Sequence, residues 1–295
     1  MSKFIRGERI FMSIRFENVF FTYQKNTPFE FSALKNINLT INEGDFVSII
    51  GHTGSGKSTL IQQINALLKP TEGKVYVGEY IVSNEKKIKN LKQLKKYAGL
   101  VFQFPEYQLF EETVLKDVCF GPKNFNEDEK ACKNKAIKAL EMVGIDSSLY
   151  NKSPFDLSGG QKRRVAIAGI IALQPKILIL DEPTAGLDPK GEKDIMELFK
   201  KIHENGTTII MVSHNMNNVL KYSNRAIVMN EGEIVLNDTP TNLFKRDDLF
   251  IKYNIKEPDV ISFAKNLING GLNINLDLIK DEKSLVNEIK RAYYE

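Results

Sequence analysis

Short apolar runs and longer segments of helical periodicity follow one another along most of this chain. The runs Ile14–Tyr23 and Leu34–Ile41 are rich in strand-forming residues and predict the first two strands. Ile177–Leu180 is continuously apolar, which is expected of a strand buried on both faces. Further strands are predicted at 46–50, 74–82, 99–102, 207–212, 226–229 and 233–236, and helices at 59–64, 84–96, 127–143, 161–173, 189–203 and 215–222.

One glycine-rich stretch separates a predicted strand from a predicted helix. It reads Gly51-His52-Thr53-Gly54-Ser55-Gly56-Lys57-Ser58 and is followed by Thr59. Glycines let the backbone turn tightly, so that successive N–H groups point inward and cradle a phosphate chain. Lys57 is then placed to reach the β- and γ-phosphates, and the Ser58 hydroxyl to hold Mg²⁺. The stretch predicts a nucleotide-phosphate site.

The alternation of strands and helices around this loop predicts the fold class. Such βα units form a parallel sheet with helices on both faces, so we expect an α/β, P-loop NTPase (RecA-like) domain. The first two strands, joined without a helix between them, are expected to form an N-terminal antiparallel β part.

Changes in the pattern also set the expected domain boundaries. Residues 1–12 are expected to be a flexible leader, and the sequence leaves open whether translation starts at Met1 or Met12. The main domain is predicted at 13–237, with an inserted helical subdomain at about 105–165 whose helices are broken at Gly121-Pro122. Residues 238–295 have helical spacing and predict a C-terminal helical extension.

Composition narrows the classes of function. Of the residues, 42% are hydrophobic and 26% charged, and the net charge of +4 is small against 41 basic and 37 acidic residues. Because the basic residues are scattered, the chain is not expected to bind nucleic acid. Cys119 and Cys132 lack a metal-binding spacing and are read as reduced thiols. No apolar run approaches the roughly 18 residues of a membrane span, so we expect a cytoplasmic chain that meets a membrane only through partners.

Two acidic residues follow the apolar strand at 177–180. Asp181 stands at the carboxyl end of that strand, where it is placed to hold the Mg²⁺ that Ser58 also contacts. Glu182 is then placed to orient or deprotonate the water that attacks the γ-phosphate. The pair predicts hydrolysis of the nucleotide.

A second anion-binding helix start is predicted at Leu157-Ser158-Gly159-Gly160-Gln161. Ser158 is a good N-cap, and the two glycines expose backbone N–H groups at the positive end of the following helix. By itself this is an ordinary capped helix. Its position, about 100 residues after the phosphate loop and some 20 before Asp181, favours the anion-binding interpretation.

These motifs, in this order, resemble the nucleotide-binding subunit of an ABC transporter. Gly51–Ser58 resembles the Walker A loop, Leu157–Gln161 the signature motif and Ile177–Asp181 the Walker B strand. Further matches are Glu182 at the catalytic carboxylate, Gln103 at the Q-loop, Ala185–Asp188 at the D-loop, His214 at the switch histidine and Tyr23 at the aromatic residue that stacks on adenine.

The resemblance implies an ATP- and Mg²⁺-dependent site completed by two chains. Catalytic roles fall to Lys57, Gln103, Glu182 and His214, and Mg²⁺ is held by Ser58, Gln103 and Asp181. ATP is also bound by Tyr23, the loop residues 51–59 and Asp188. The Ser158–Gln161 segment of a facing chain completes the site at the γ-phosphate.

A narrower resemblance points to energy-coupling factor (ECF) transporters. It rests on Gln24–Glu30, Val101–Phe110 and Ser153–Asp156, with Thr27–Glu30 favouring the second of two paralogous ATPases. It implies an importer of vitamins or transition-metal ions and a peripheral location on the cytoplasmic face of the cell membrane. The implied partners are a paralogous ABC ATPase, a transmembrane scaffold subunit and a membrane-embedded substrate-binding subunit.

Two contacts with those partners are hypothesised. The carboxylates of Glu106, Glu111 and Glu112, which follow Gln103 closely, are expected to meet basic residues of the scaffold. The extension from residue 240 onward is expected to pack against the partner ATPase.

Other functions remain open on the sequence. The main alternative is the ATPase of another class of ABC importer, and a less favoured one is a soluble ABC ATPase acting on ribosomes or DNA. The short interval between phosphate loop and signature leaves no room for the coiled-coil insertion of DNA-associated relatives, and ribosome-associated relatives usually carry two cassettes. A GTPase is disfavoured because neither Asn134-Lys135 nor Asn151-Lys152 continues into a base-recognition motif.

Overall fold

The computed structural model describes residues 12–85 and 87–294. The expected leader at 1–12 lies outside the described residues, except that Met12 begins the first strand. The strands are β1 (Met12–Tyr23), β2 (Phe31–Asn42), β3 (Phe46–Ile50), β4 (Glu72–Val77), β5 (Tyr80–Val82), β6 (Ala98–Val101), β7 (Ile177–Asp181), β8 (Thr208–Val212), β9 (Arg225–Asn230) and β10 (Glu233–Asp238). The helices are α1 (Lys57–Ile64), α2 (Leu91–Tyr97), α3 (Val114–Asn124), α4 (Glu129–Met142), α5 (Gly159–Ile171), α6 (Pro189–Glu204), α7 (Met216–Tyr222), α8 (Pro240–Phe244), α9 (Asp247–Tyr253), α10 (Asp259–Asn269) and α11 (Glu282–Tyr294).

The larger sheet carries the phosphate loop. Its strand order within the described chain is β10-β9-β3-β8-β7-β6, and all neighbours are parallel except the β9–β10 hairpin at one edge. Every residue of β3 and β8 is buried, as expected of mainly apolar strands inside a parallel sheet. The carboxyl ends of β3, β7 and β8 therefore lie side by side at one edge of the sheet.

A second, antiparallel sheet has the order β2-β1-β4-β5. The first apolar cluster lies between it and the parallel sheet and includes Phe16, Leu34 and Ile49. A second cluster covers the opposite face of the parallel sheet and contains residues of α3 to α6. The predicted α/β class, with an antiparallel N-terminal part, is confirmed.

Two predictions about helices are wrong. The helix expected at 84–96 begins only at Leu91. The dipeptide Gly121-Pro122 does not break a helix, since α3 continues through it to Asn124. Pro122 has no N–H to donate to the preceding turn, and α3 ends two residues after it, at Asn124. Gly121 faces α5 so closely that a Cβ there would lie 3.3 Å from the carbonyl oxygen of Gly169, which favours glycine at this helix crossing.

The C-terminal helices pack against the body of the same chain. Phe244 and Leu249 share a third apolar cluster with Ile50 of β3 and Val228 of β9. The extension is therefore joined to the parallel sheet through a common core. None of the described helices is both long enough and apolar enough to cross a membrane.

Candidate active site

The loop between β3 and α1 has a backbone that only glycine accommodates at two positions. Gly51 has φ of +146° and Gly56 has φ of +99°. A Cβ at Gly51 would lie 2.2 Å from the carbonyl oxygen of Met229, and one at Gly56 would lie 2.6 Å from that of Ala33. Both the left-handed φ values and the close approaches exclude side chains. This tight cradle fits a phosphate chain.

Lys57 begins α1 with its ammonium group directed back over the loop. Only 6% exposed, it donates hydrogen bonds from Nζ to the carbonyl oxygens of Gly51 (2.9 Å) and His52 (2.8 Å). Burial lowers the pKa of Lys57, and the charges of Glu182 and Asp181 oppose that shift. A phosphate would supply the negative charge that a buried ammonium group favours.

The rest of the loop is fixed by side-chain contacts. His52 Nε2 lies 3.1 Å from Asn230 Oδ1, and its Nδ1 lies 2.7 Å from the carbonyl oxygen of Thr53. Gly54, with φ of +85°, has open space where a Cβ would lie, and Ser55 is buried. The loop is thus held by the β9–β10 end of the sheet.

Ser58 and Asp181, two of the residues expected to hold the cation, lie within hydrogen-bond distance of each other. Ser58 Oγ donates to Asp181 Oδ1 over 3.3 Å. Burial raises the pKa of Asp181, and the hydrogen bond from Ser58 opposes the rise. Among the described residues, no group of three or more His, Cys, Asp or Glu side chains is placed to hold a metal ion. This donor set fits Mg²⁺, which takes one or two protein oxygens and completes its shell with phosphate oxygens and water.

Glu182 is held between two side chains from different segments. Gln103 Nε2 donates to Glu182 Oε2 over 3.1 Å, and His214 Nε2 lies 3.1 Å from Oε1. The Glu182 backbone N–H donates to the carbonyl oxygen of Val212 in β8 (3.1 Å). With φ of +48°, Glu182 lies in the left-handed region, a strain that often accompanies functional sites. The structure thus brings together Gln103, Glu182 and His214 beside the loop.

Tyr23 and Thr59 meet at the other side of α1. The Tyr23 hydroxyl and Thr59 Oγ1 lie 3.0 Å apart, and the Tyr23 ring makes an edge contact with Phe21 at 4.7 Å. Part of the ring remains exposed. Stacking of Tyr23 on adenine stays a prediction.

The signature segment caps α5 as expected but does not join the loop in the same chain. The Gln161 backbone N–H donates to Ser158 Oγ (3.3 Å), and the Ser158 N–H donates to Gln161 Oε1 (3.0 Å). Gly159 and Gly160 are exposed, and a Cβ at either would meet nothing within 4 Å. Within the described chain, no hydrogen bond or ion pair links this segment to the phosphate loop. The start of α5 is therefore exposed, and its binding to the nucleotide of a second chain stays a prediction.

Asp188, expected to bind nucleotide, caps α6. Its Oδ1 accepts a hydrogen bond from the Gly191 backbone N–H at 2.6 Å. This contact fixes the segment between Glu182 and α6. A direct contact of Asp188 with nucleotide stays a prediction.

Sequence reasoning missed Arg163 and misassigned Glu106. Both carboxylate oxygens of Glu106 accept hydrogen bonds from Arg163, at 3.1 and 2.9 Å, so Glu106 is not a free acidic contact for a partner. Of the other two glutamates, Glu112 is exposed and pairs with Lys116 (2.5 Å), whereas Glu111 is half-buried. The available signal was the helical row Arg163, Ile167 and Ile171, which places an arginine on the buried face of α5.

Comparison with known proteins agrees with this geometry. Residues 34–185 match the family described as ABC transporter. The chain is 50% identical over 273 residues to the energy-coupling factor transporter ATP-binding protein EcfA2 of Enterococcus faecalis, covering 92% of this chain and 94% of that protein.

Solved structures are similar over most of the chain. One is cbiO1 from Clostridium perfringens, described as part of the ABC transporter complex cbiONQ, with a TM-score of 0.70 and 36% identity, covering 86% of this chain and 99% of that one. Another is the ATP-binding cassette MJ0796 in a dimeric post-hydrolysis state bound to ADP and Pi, with a TM-score of 0.67 and 35% identity over 77% of this chain and 98% of that one.

Proposed function

This chain belongs to the ABC transporter family of ATPases, which hydrolyse ATP to drive transport, and we propose that it powers an ECF importer. The observation that carries the proposal is Glu182, held by Gln103 and His214 at the sheet edge that also carries the phosphate loop. The 50% identity to an ECF ATP-binding protein supports the narrower assignment.

The described residues divide the chemistry between binding and proton transfer. The loop N–H groups and Lys57 would bind the phosphates of ATP, and Ser58 and Asp181 would hold Mg²⁺, which would supply positive charge to the phosphates. Glu182 accepts a hydrogen bond from Gln103 at one oxygen and contacts His214 at the other, so the carboxylate is oriented before a water molecule arrives. Because its side chain is 27% exposed, a water can reach it, and we assign Glu182 as the general base.

The second half of the site would come from a facing chain. Ser158, Gly159 and Gly160 present backbone N–H groups at the exposed start of α5 and lie apart from the loop of their own chain. A helix start that arrives only when two chains close would stabilise the γ-phosphate only then, which couples hydrolysis to movement. The dimeric state of the similar cassette MJ0796 supports this arrangement.

We further propose the partners that an ECF importer requires. These are a paralogous ABC ATPase, a transmembrane scaffold and a membrane-embedded substrate-binding subunit for a vitamin or a transition-metal ion. The chain would then lie on the cytoplasmic face of the cell membrane as a peripheral subunit. The alternative, an ATPase of another importer class, would share the site but not these partners.

The C-terminal extension is proposed to contact the partner ATPase. Its inner face packs on the parallel sheet of its own chain, while Ile251, Phe263 and Leu278 remain largely exposed. These side chains lie on α9, on α10 and between α10 and α11, so apolar groups are exposed to a partner at several places along the extension.

Substitution of Glu182→Gln tests the ATPase mechanism. The amide keeps the shape and one hydrogen-bond acceptor but cannot take a proton, so turnover should fall about 10²- to 10⁴-fold while ATP affinity is retained. Steady-state phosphate release and binding of a fluorescent ATP analogue measure the two quantities. Glu204→Gln, at the exposed end of α6, is the matched control and should leave both unchanged. Retained turnover in Glu182→Gln would remove Glu182 from this role.

Purification of the tagged chain from its own detergent-solubilised membranes tests the partners. Recovery of a second ABC ATPase with a polytopic scaffold and small membrane subunits is expected. Two copies of this chain with a conventional permease would contradict the ECF assignment, and ribosomes or DNA would contradict transport. Membranes from cells with the untagged chain serve as the control.

A further inference from the structure

Arg163 is a buried cation of α5 whose hydrogen bonds reach two other segments around the active site. It lies in α5, and its side chain is 4% exposed. Besides the two bonds to Glu106, Nη1 donates to the carbonyl oxygen of Ala185 (2.7 Å) and Nη2 to that of Gln103 (3.5 Å). The guanidinium carbon lies 5.7 Å from the centre of the Phe104 ring. One side chain therefore joins α5, the segment from Gln103 to Glu106, and the segment that follows β7.

Each of these segments carries a residue of the site. The side chain of Gln103 donates to Glu182, and Ala185 donates its backbone N–H to the Glu182 carbonyl oxygen over 3.1 Å. Ser158 is the N-cap of α5. Among the described residues, Arg163 makes no hydrogen bond or ion pair with Glu182 or the phosphate loop. Any effect on hydrolysis must therefore act through the groups that it binds.

The chemistry of the guanidinium group suits this position. Its planar fork donates in several fixed directions at once, whereas a lysine ammonium group is a compact charge on a flexible stem. Glu106 supplies the counter-charge that a buried cation requires, and its side chain is itself 19% exposed. A lysine could keep the ion pair, but it could not hold Glu106 and both carbonyl groups in the same geometry.

We propose that Arg163 is a positioning residue for ATP hydrolysis, which fixes the Gln103 segment and the Ala185 segment against the helix that begins at Ser158. The inference rests on the ATPase function proposed above. It predicts that loss of the fork misplaces Gln103 and Glu182 without removing a group that binds ATP.

The test compares Arg163→Lys and Glu106→Gln in the full chain, purified alone and with its co-purifying subunits. For Arg163→Lys we expect kcat to fall about 10- to 100-fold, because small misplacements of catalytic groups have effects of that size, with affinity for a fluorescent ATP analogue unchanged. Glu106→Gln leaves the bonds from Arg163 to Ala185 and Gln103 in place. Its kcat should therefore fall by a smaller factor.

A matched control separates positioning from stability. Arg225 in β9 is another partly buried arginine, which donates to the Thr40 carbonyl oxygen and to Asn237 (2.7 Å each) away from Glu182. Arg225→Lys should lower the thermal midpoint without changing kcat. If kcat in Arg163→Lys stays within about 2-fold of wild type, or falls only together with ATP affinity, the inference is overturned.

Three further outcomes are decisive. If Arg163→Lys does not fold, an unchanged kcat in Glu106→Gln overturns the inference. If the wild-type chain, alone and with its subunits, hydrolyses no ATP, the proposed function fails and the role of Arg163 fails with it. The third outcome is that wild type hydrolyses ATP and Glu182→Gln loses turnover, but kcat of Arg163→Lys is unchanged. This result would reject only the role of Arg163.

Discussion

Glu182 combines chemistry and backbone strain in one residue. Its φ of +48° is unusual for a residue with a long side chain, and such conformations persist only where the surroundings enforce them. Here the backbone N–H is bound to β8 and both carboxylate oxygens are engaged by Gln103 and His214. The strain turns the carboxylate away from the strand direction and toward the neighbouring segments.

At the same scale, alanine substitutions of two loop glycines can be compared as a matched pair. Gly56→Ala places a Cβ 2.6 Å from the Ala33 carbonyl oxygen, whereas Gly54→Ala has the same left-handed strain but open space. We expect Gly56→Ala to abolish measurable binding of a fluorescent ATP analogue and Gly54→Ala to weaken it less. The cost of φ alone is about 1–2 kcal/mol, and the backbone clash adds to it only at Gly56. Equal loss in the two variants would contradict this reading of the loop.

Among the elements, α2 and α4 are joined by a charged cluster. Glu127 Oε1 accepts hydrogen bonds from Lys96 of α2 (2.9 Å) and Lys135 of α4 (2.6 Å). The bond from Lys135 is the main cause that lowers the pKa of Glu127, and the bond from Lys96 adds to it, while burial opposes both. The cluster attaches the helical insertion to the helix that precedes β6.

The sign of this pKa shift fixes a pH dependence. A glutamate with a lowered folded pKa stabilises the fold above its unfolded pKa of about 4.3, and the contribution is lost as pH falls through the folded pKa. Glu127→Gln should therefore reduce the free energy of unfolding by about 1 kcal/mol at pH 7, with the difference shrinking in acid. Urea denaturation at several pH values measures it. Glu141→Gln, exposed on α4, is the control, and a difference independent of pH would contradict the assignment.

At the scale of the whole molecule, the C-terminal extension has a face buried against its own chain and an exposed face that is proposed to contact the partner. Phe244 is fully buried in the cluster that also contains Ile50 and Val228, so deletion of the extension would open the core as well as remove a partner contact. A deletion therefore cannot isolate the proposed dimer contact. Single substitutions, one on each face, separate the two effects.

Phe244→Ala and Ile251→Lys are the matched pair. Phe244→Ala should reduce the free energy of unfolding by about 3–5 kcal/mol and shift one cooperative transition of the whole chain. Ile251, 89% exposed, should leave stability unchanged when replaced by lysine but weaken association with the partner ATPase. Urea denaturation and sedimentation of the mixed ATPases measure the two effects. Separate unfolding of the extension in Phe244→Ala would contradict the shared core. Unchanged association of Ile251→Lys would contradict the contact with the partner ATPase.

The sequence by itself determined the chemistry and the fold class. The phosphate loop, the strand ending at Asp181 and the capped start of α5 are contiguous motifs, and a contiguous motif fixes its own local geometry through glycine, cap and strand preferences. The resemblance to ABC transporter ATPases then implied that Gln103, Glu182 and His214 act as one set, and the structure brings their side chains together.

Only the tertiary structure decided which side chains distant in sequence contact each other. Glu106 and Arg163 are 57 residues apart, and the pairing depends on how α5 packs against the segment after β6. Gly121-Pro122 looked like a helix break because local preference ignores the close crossing of α3 and α5. The periodicity of the extension shows an apolar face but not the surface that covers it, which includes Ile50 and Val228 of the parallel sheet. In each case, packing between segments remote in sequence outweighed local preference, and no single stretch of sequence contains that information.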